Sequence, residues 1–203
     1  MARSTGDEPT ASQAHRRESE RIRIRRARSA DLPRVVELER ISFSTPWTLA
    51  SFHSLLDRDG VSFLVVESPP SPVAGPVDGS PRGDSEDAGP GEILGYGILW
   101  AVGREAELAD LAVDPRARRR GIGGALLDAL LDRARDRGVE RVFLEVRDSN
   151  SAAHSLYRRR GFRQVGVRTQ YYTRPVENAR VLRLDLTGEG SGLPEPHSTP
   201  EQP

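Results

Sequence analysis

The chain has no cysteine and no lysine in its 203 residues. Without cysteine there is no disulfide framework, no thiolate nucleophile and no cysteine-based zinc site. Without lysine, the phosphate-binding loop that ends in Gly-Lys-Ser/Thr is excluded. Excess charge is missing too: 30 basic and 30 acidic residues cancel, so the whole chain has no bulk attraction for nucleic acid. No apolar run approaches the length of a membrane span, and the N-terminus lacks the apolar core of a signal peptide. A cytoplasmic protein is expected, with neither a membrane nor nucleic acid as a direct partner. The four histidines (His15, His53, His154 and His197) are scattered, none with a neighbour at ligand spacing, so no metal is expected.

Three stretches lack the pattern of a packed core. Residues 1–20 and 187–203 are polar and aperiodic, which reads as disordered tails. Residues 69–91, dense in Pro, Gly, Ser and Asp, separate "VSFLVVES" from "EILGYGILWAV". The flanking runs read as strands and the stretch between them as a long disordered insertion loop. One domain over 21–186 is therefore expected. It opens with a strand "RIRIRRA" and a helix capped near Ser29, with Leu32, Val35, Val36 and Ile41 on its apolar face. A second helix from Thr48 would present Phe52, Leu55 and Leu56. After strand "ELADLAV" comes a helix from Gly121 to about Arg137 with a stripe of Ile122, Leu126, Leu127, Leu130, Leu131 and Ala134. Strand "RVFLEVR", a short helix "SAAHSLYRRR" and strands near 163–173 and 179–185 complete the domain.

The segment "AVDPRARRRGIGGALL", residues 112–127, carries the chemical signal. Strand, loop and helix in that order set free backbone N–H groups beside Gly121, Gly123 and Gly124. Such donors, with the helix dipole, attract anions, and glycine permits close approach. Upstream arginines suit phosphate oxygens. The site is shaped for a pyrophosphate. A dinucleotide fingerprint fits poorly, because Leu126 stands at its third glycine position and residues 114–120 separate strand from glycine. Taken alone, the loop could also be a solvated arginine face.

Strand alternation in "RVFLEVR" puts Val142, Leu144 and Val146 on one face and Phe143, Glu145 and Arg147 on the other. A carboxylate desolvated among apolar neighbours suits general-base work. Glu145 reads equally as a carboxylate paired with Arg147 or with an arginine on a neighbouring strand. Tyr157 falls on the inner helix face with Ala153 and Leu156, where it could be a core aromatic. Asn150 stands where a helix N-cap is expected.

"RRRGIGGALL" contains Arg118-x-x-Gly121-x-Gly123, which resembles the acetyl-CoA pyrophosphate loop of the GCN5-related N-acetyltransferases. The likeness continues in register through "LAVDP" before it and "VFLEVRDSNSAAHSLYRRRGF" after it. The latter string, with "FSTPW" at 43–47 and "YYTRPVENA" at 171–179, is similar to the bacterial ribosomal-protein alanine N-acetyltransferase family. It spans roughly residues 21–186, apart from the insertion. The resemblance implies an α/β (α+β) acetyltransferase fold, a mixed, mostly antiparallel twisted sheet with helices on both faces. It implies acetyl-CoA as co-substrate, bound where strands 105–113 and 140–147 splay apart.

The resemblance also implies roles. Glu145 would be the proton acceptor and Tyr157 the donor to the leaving thiolate. The backbone of Leu111, Ala112 and Val113 would pair with the pantetheine arm, and Arg118, Arg119, Arg120, Gly121, Ile122, Gly123 and Gly124 would cradle the phosphates. Asn150 would touch the coenzyme. Trp47, Tyr171 and Tyr172 would stand at the acceptor side, and the acceptor would be a protein N-terminus, that of a ribosomal protein beginning with alanine. With no cysteine available, transfer would be direct. Two alternatives stand beside this: a small-molecule amine acetyltransferase on the same fold, and a non-enzymatic acyl-CoA sensor, against which the presence of both Glu145 and Tyr157 in register argues. One departure stands out: the acidic pair usual before the last alanine is here Glu177-Asn178.

Overall fold

The computed structural model describes residues 22–69 and 91–187. The stretches read as disordered, 1–20, 69–91 and 187–203, lie outside the described residues apart from their end positions Pro69, Gly91 and Thr187.

Among the described residues seven strands form one sheet: β1 (Arg23–Arg26), β2 (Val61–Glu67), β3 (Ile93–Val102), β4 (Glu105–Val113), β5 (Arg141–Arg147), β6 (Arg163–Thr173) and β7 (Val176–Asp185). Their order is β1-β2-β3-β4-β5-β7-β6. Every neighbouring pair is antiparallel except β4 with β5. Four α-helices cover the sheet: α1 (Leu32–Ser42), α2 (Leu49–His53), α3 (Ile122–Asp136) and α4 (Ser151–Arg158). The fold is the expected mixed sheet between helices.

Side chains alternating along the strands divide the interior into two cores. Leu64, Val66, Leu99, Val142, Leu144 and Val146 meet the stripe of α3, while Phe63, Val65, Tyr96 and Ile98 meet α1 and α2. Leu126, Leu127 and Leu130 of α3 are fully buried. Burial of each is worth roughly 1.5–3 kcal/mol, so α3 is a rigid platform for whatever its N-terminus holds.

Local chemistry sets the helix ends. Thr48 Oγ1 accepts from Ser51 N at 3.1 Å and starts α2, and Asn150 Oδ1 accepts from Ala153 N at 3.1 Å and starts α4. Gly121 precedes α3 at φ 80°, a left-handed conformation that costs an L-residue energy. Two expectations need correction. Ile41 is 57% exposed, because α1 ends one residue later and turns its last apolar residue outward. Leu55 and Leu56 lie beyond α2, which closes at His53; Leu55 is still buried, from a turn.

The pairing of β4 is uneven. It pairs with β3 along its whole length, with a bulge that leaves Ala109 without an opposite residue. With β5 it pairs only at Glu105–Glu107 against Arg141–Phe143. Beyond those residues the two strands part, and β5 stays attached to β7.

Candidate active site

The parting of β4 from β5 leaves a wedge whose walls are Leu108–Val113 on one side and Leu144–Arg147 on the other. Three of the expected elements meet there: the backbone of Leu111, Ala112 and Val113, the turn before α3, and α4 with Tyr157. Asp114 N donates to Leu94 O at 2.8 Å, and Arg118 Nε donates to Val113 O at 3.1 Å. The loop is thereby anchored to the end of β4. Arg119 is exposed and holds φ at 67°, and Arg120 follows it into the turn.

The three glycines differ in what they do. Gly121 suits its left-handed backbone, which strains an L-residue. At Gly124, an added Cβ would lie 2.4 Å from Arg160 Nη2, the flexible end of a side chain that pairs with Asp128 at 2.6 Å. At Gly123, an added Cβ would meet only Val113 Cγ2 at 3.5 Å and Leu156 Cδ2 at 3.9 Å, ordinary contacts. Nothing among the described residues demands glycine at 123. It faces the gap between β4 and α4, where the first-turn N–H groups of α3 lack intrahelical acceptors. The side chain of Ile122 is buried in the core, so only its backbone serves the turn.

Glu145 projects from β5 on the face opposite Val142, Leu144 and Val146, as the alternation requires. Its partner is Arg168 of β6, whose Nε and Nη2 lie 3.0 and 2.9 Å from Oε1. Arg147 points elsewhere. Glu145 opens on a pocket of about 300 Å³ lined also by Trp100, Glu107, Phe143 and Val181. Desolvation and then the nearby Glu145 raise the pKa of Glu107.

Tyr157 lies on α4, 7% exposed, with its ring 5.6 Å from that of Phe162. Burial, then Tyr172, then Asp110 push its pKa above the ordinary phenol value. The hydroxyl stays protonated through the neutral range, as a proton donor must. Asn150 uses Oδ1 as the α4 cap, which leaves its amide N–H groups available.

Tyr172 is held by Arg147, which sequence reading treated only as a possible partner of Glu145. Its guanidinium donates to Ser44 Oγ at 2.6 Å, Arg174 O at 3.1 Å and Pro175 O at 3.4 Å. It pairs with Glu177 at 3.3 Å and lies 3.9 Å from the Tyr172 ring centroid. One arginine thus ties the loop after α1 to the β6–β7 hairpin. Tyr172 packs edge-on against Tyr171, which is 49% exposed. Trp47 stands apart from the two tyrosines: its N donates to the buried Glu39 at 2.8 Å and its ring packs against Phe52 at 5.8 Å. Asn178 accepts from Gln170 N at 2.9 Å and so supports the irregular β6 strand within its own hairpin.

Among the described residues no helix is long and apolar enough to cross a membrane. Residues 32–162 match the model of the Acetyltransferase (GNAT) family. The chain is 36% identical over 174 residues to the N-alpha-acetyltransferase RimI of Mycobacterium tuberculosis, covering 83% of this chain and 95% of that protein. It is 30% identical over 161 residues to the [ribosomal protein bS18]-alanine N-acetyltransferase of Escherichia coli K12, covering 78% and 94%. The crystal structure of the E. coli ribosomal-protein-S18-alanine N-acetyltransferase superposes with a TM-score of 0.65 at 29% identity, covering 85% of this chain and 98% of that one.

Proposed function

The chain belongs to the acetyltransferase (GNAT) family, and on that footing we propose that it is a cytoplasmic protein N-terminal acetyltransferase. It moves acetyl from acetyl-CoA to the α-amine of an N-terminal alanine, that of a small-subunit ribosomal protein. The observation that carries this reading is the wedge itself: parted strands over a helix N-terminus, with a carboxylate on β5 and a buried phenol on α4.

The residues present fit acetyl-CoA. The turn at 118–124 and the first N–H groups of α3 hold the pyrophosphate, with Gly123 bare where the ligand passes. The unpaired edge of β4 at Leu111–Val113 receives the pantetheine arm as an added strand and directs a main-chain N–H at the thioester oxygen. When bound, the coenzyme supplies an acyl group on a thiolate leaving group.

Glu145 receives the proton lost by the attacking amine. Arg168 holds Oε1 and so leaves Oε2 to face the amine. Tyr157 protonates the departing sulfur. An α-amine, with a reference pKa near ~8 against ~10.4 for lysine, is neutral roughly two hundred times more often at pH 7. A carboxylate base therefore suffices for an N-terminus. The β6–β7 hairpin, fixed by Arg147, forms one wall of the acceptor groove with Tyr171 and Tyr172; Trp47 and the loop from Phe43 form the other.

The reading is tested with an Ala-Arg-leading peptide and the same peptide carrying a blocked N-terminus. Initial rates of CoA release should be well above background for the free peptide and at background for the blocked one. Equal rates with both would exclude the N-terminal amine as the acceptor.

A further inference from the structure

Asp110 is a buried carboxyl that the mechanism above leaves idle. It is 7% exposed, and its Oδ2 is sealed from solvent with no hydrogen-bond partner among the described residues. Native proteins rarely leave such a group unpaired, because desolvation without a partner is costly. Its neighbours come from three elements. Glu39 of α1 is fully buried and is occupied by the Tyr96 hydroxyl and Trp47 N. Tyr96 of β3 is spent on Glu39. Tyr157 of α4 is close enough for Asp110 to disturb its titration. None of them provides Asp110 with a donor.

The position of Asp110 follows from the bulge in β4. Simple alternation would send it to the face of Ala106 and Leu108, against α3. The extra residue at Ala109 reverses the parity, so that Asp110 shares the opposite face with Ala112. That is the face from which Glu145 projects. Asp110 also lies three residues beyond Glu107, the last β4 residue bonded to β5, and so inside the wedge. Glu145 on β5 and Asp110 on β4 therefore flank the same opening.

We infer that Asp110 is the docking group for the acceptor's primary amine, which enters the wedge and supplies the hydrogen-bond partner that the folded chain lacks. The inference rests on the amine-acetylating function proposed above. A carboxylate facing an ammonium and a carboxyl facing a neutral amine contain the same single proton, so docking needs no other reactant. Burial, and secondarily Glu39, raise Asp110 to about 8, near the ordinary range of an α-amine. One proton is then shared between groups of similar affinity. The amine is held beside Glu145 with its charge already compensated. Asp110 also brings it close to Tyr157.

The test is a binding cycle on the full chain loaded with CoA. Dissociation constants are measured for an Ala-Arg-leading peptide and for its desamino analogue, with wild type, Asp110→Asn and Glu145→Gln. Wild type should prefer the amino peptide by about tenfold or more, the range of a hydrogen bond to a charged group. Asp110→Asn should bind the two peptides within about twofold while keeping wild-type affinity for CoA. Because asparagine copies the shape of the protonated carboxyl, the variant should fold; Asp110→Ser gives the same comparison in case it does not. An amino preference retained without the Asp110 carboxyl, or abolished only in Glu145→Gln, overturns the inference. Failure of the N-terminal reading shows separately, as absence of transfer to every peptide. The cycle is then run with butylamine against butanol, where equal effects of Asp110→Asn on both overturn the amine site as well.

Discussion

Two glycines two positions apart should respond in opposite ways to the same substitution. Gly121 sits at φ 80°, ψ −8°. An alanine there pays the left-handed penalty of about 1–2 kcal/mol. For a chain of this size that lowers Tm by roughly 2–8 °C. Gly123 lies within the first turn of α3 at an ordinary φ, and a Cβ there makes only contacts of 3.5 and 3.9 Å. Alanine at 123 should leave stability unchanged or raise it by about 0.5–1 kcal/mol, the usual gain for Gly→Ala in a helix. Acetyl-CoA binding should show the reverse order of harm at 123. The methyl group projects between Val113 and Leu156, into the passage from the phosphate turn to the wedge, and should weaken binding at least tenfold, about 1.4 kcal/mol. Differential scanning calorimetry and titration calorimetry on both variants separate the two effects. Wild-type affinity in a folded Gly123→Ala would refute the phosphate turn, and wild-type stability in Gly121→Ala would refute the conformational argument.

Three further outcomes follow from the site and its frame. Glu145→Gln should lower kcat by about 10²–10⁴ with acetyl-CoA affinity unchanged; rates at pH 7 and 9 check it, and the defect should shrink at the higher pH as more amine is neutral. Arg147→Ala removes the tie between Ser44 and the β6–β7 hairpin, so peptide KM should rise several-fold while acetyl-CoA affinity stays put, as steady-state kinetics will show. Arg25 bridges Asp31 and Glu67, each at 2.7 Å, and its hydrogen bond, against a smaller desolvation cost, holds Glu67 below its ordinary pKa. That stabilisation is present above about pH 4.5 and lost in acid as the carboxyl protonates. Arg25→Gln should therefore destabilise by about 3 kcal/mol at neutral pH, and denaturant titrations should find the deficit shrinking below pH 4.

Local pattern was enough for the platform and for part of the site. The stripe of α3 is buried at each of its six expected positions, because a 3.6-residue period leaves one way to face a sheet. The two faces of β5 follow from a period of two. What escaped reading depends on register and irregularity. Arg168 reaches Glu145 across β7, a meeting set by the pairing of β6, itself interrupted between Gln164 and Gly166. Arg147 gathers partners from positions 44, 172, 174, 175 and 177, which no spacing rule connects. The burial of Asp110 hangs on one bulged residue, and nothing in "ELADLAV" marks Ala109 as that residue. The roles of Glu145 and Tyr157 came from likeness to a family; geometry adds the Arg168 partner of the one and the burial of the other.

The central claim is that the acetyl group goes to a protein's N-terminal amine. The most direct measurement places an Ala-Arg-leading peptide, an internal-lysine peptide with a blocked N-terminus and several small amines in one tube with acetyl-CoA. Tandem mass spectrometry then locates the label. Acetyl on the α-nitrogen of alanine, ahead of every other nitrogen present, is the predicted result. Acetyl on the small amines with the alanine N-terminus untouched would contradict it.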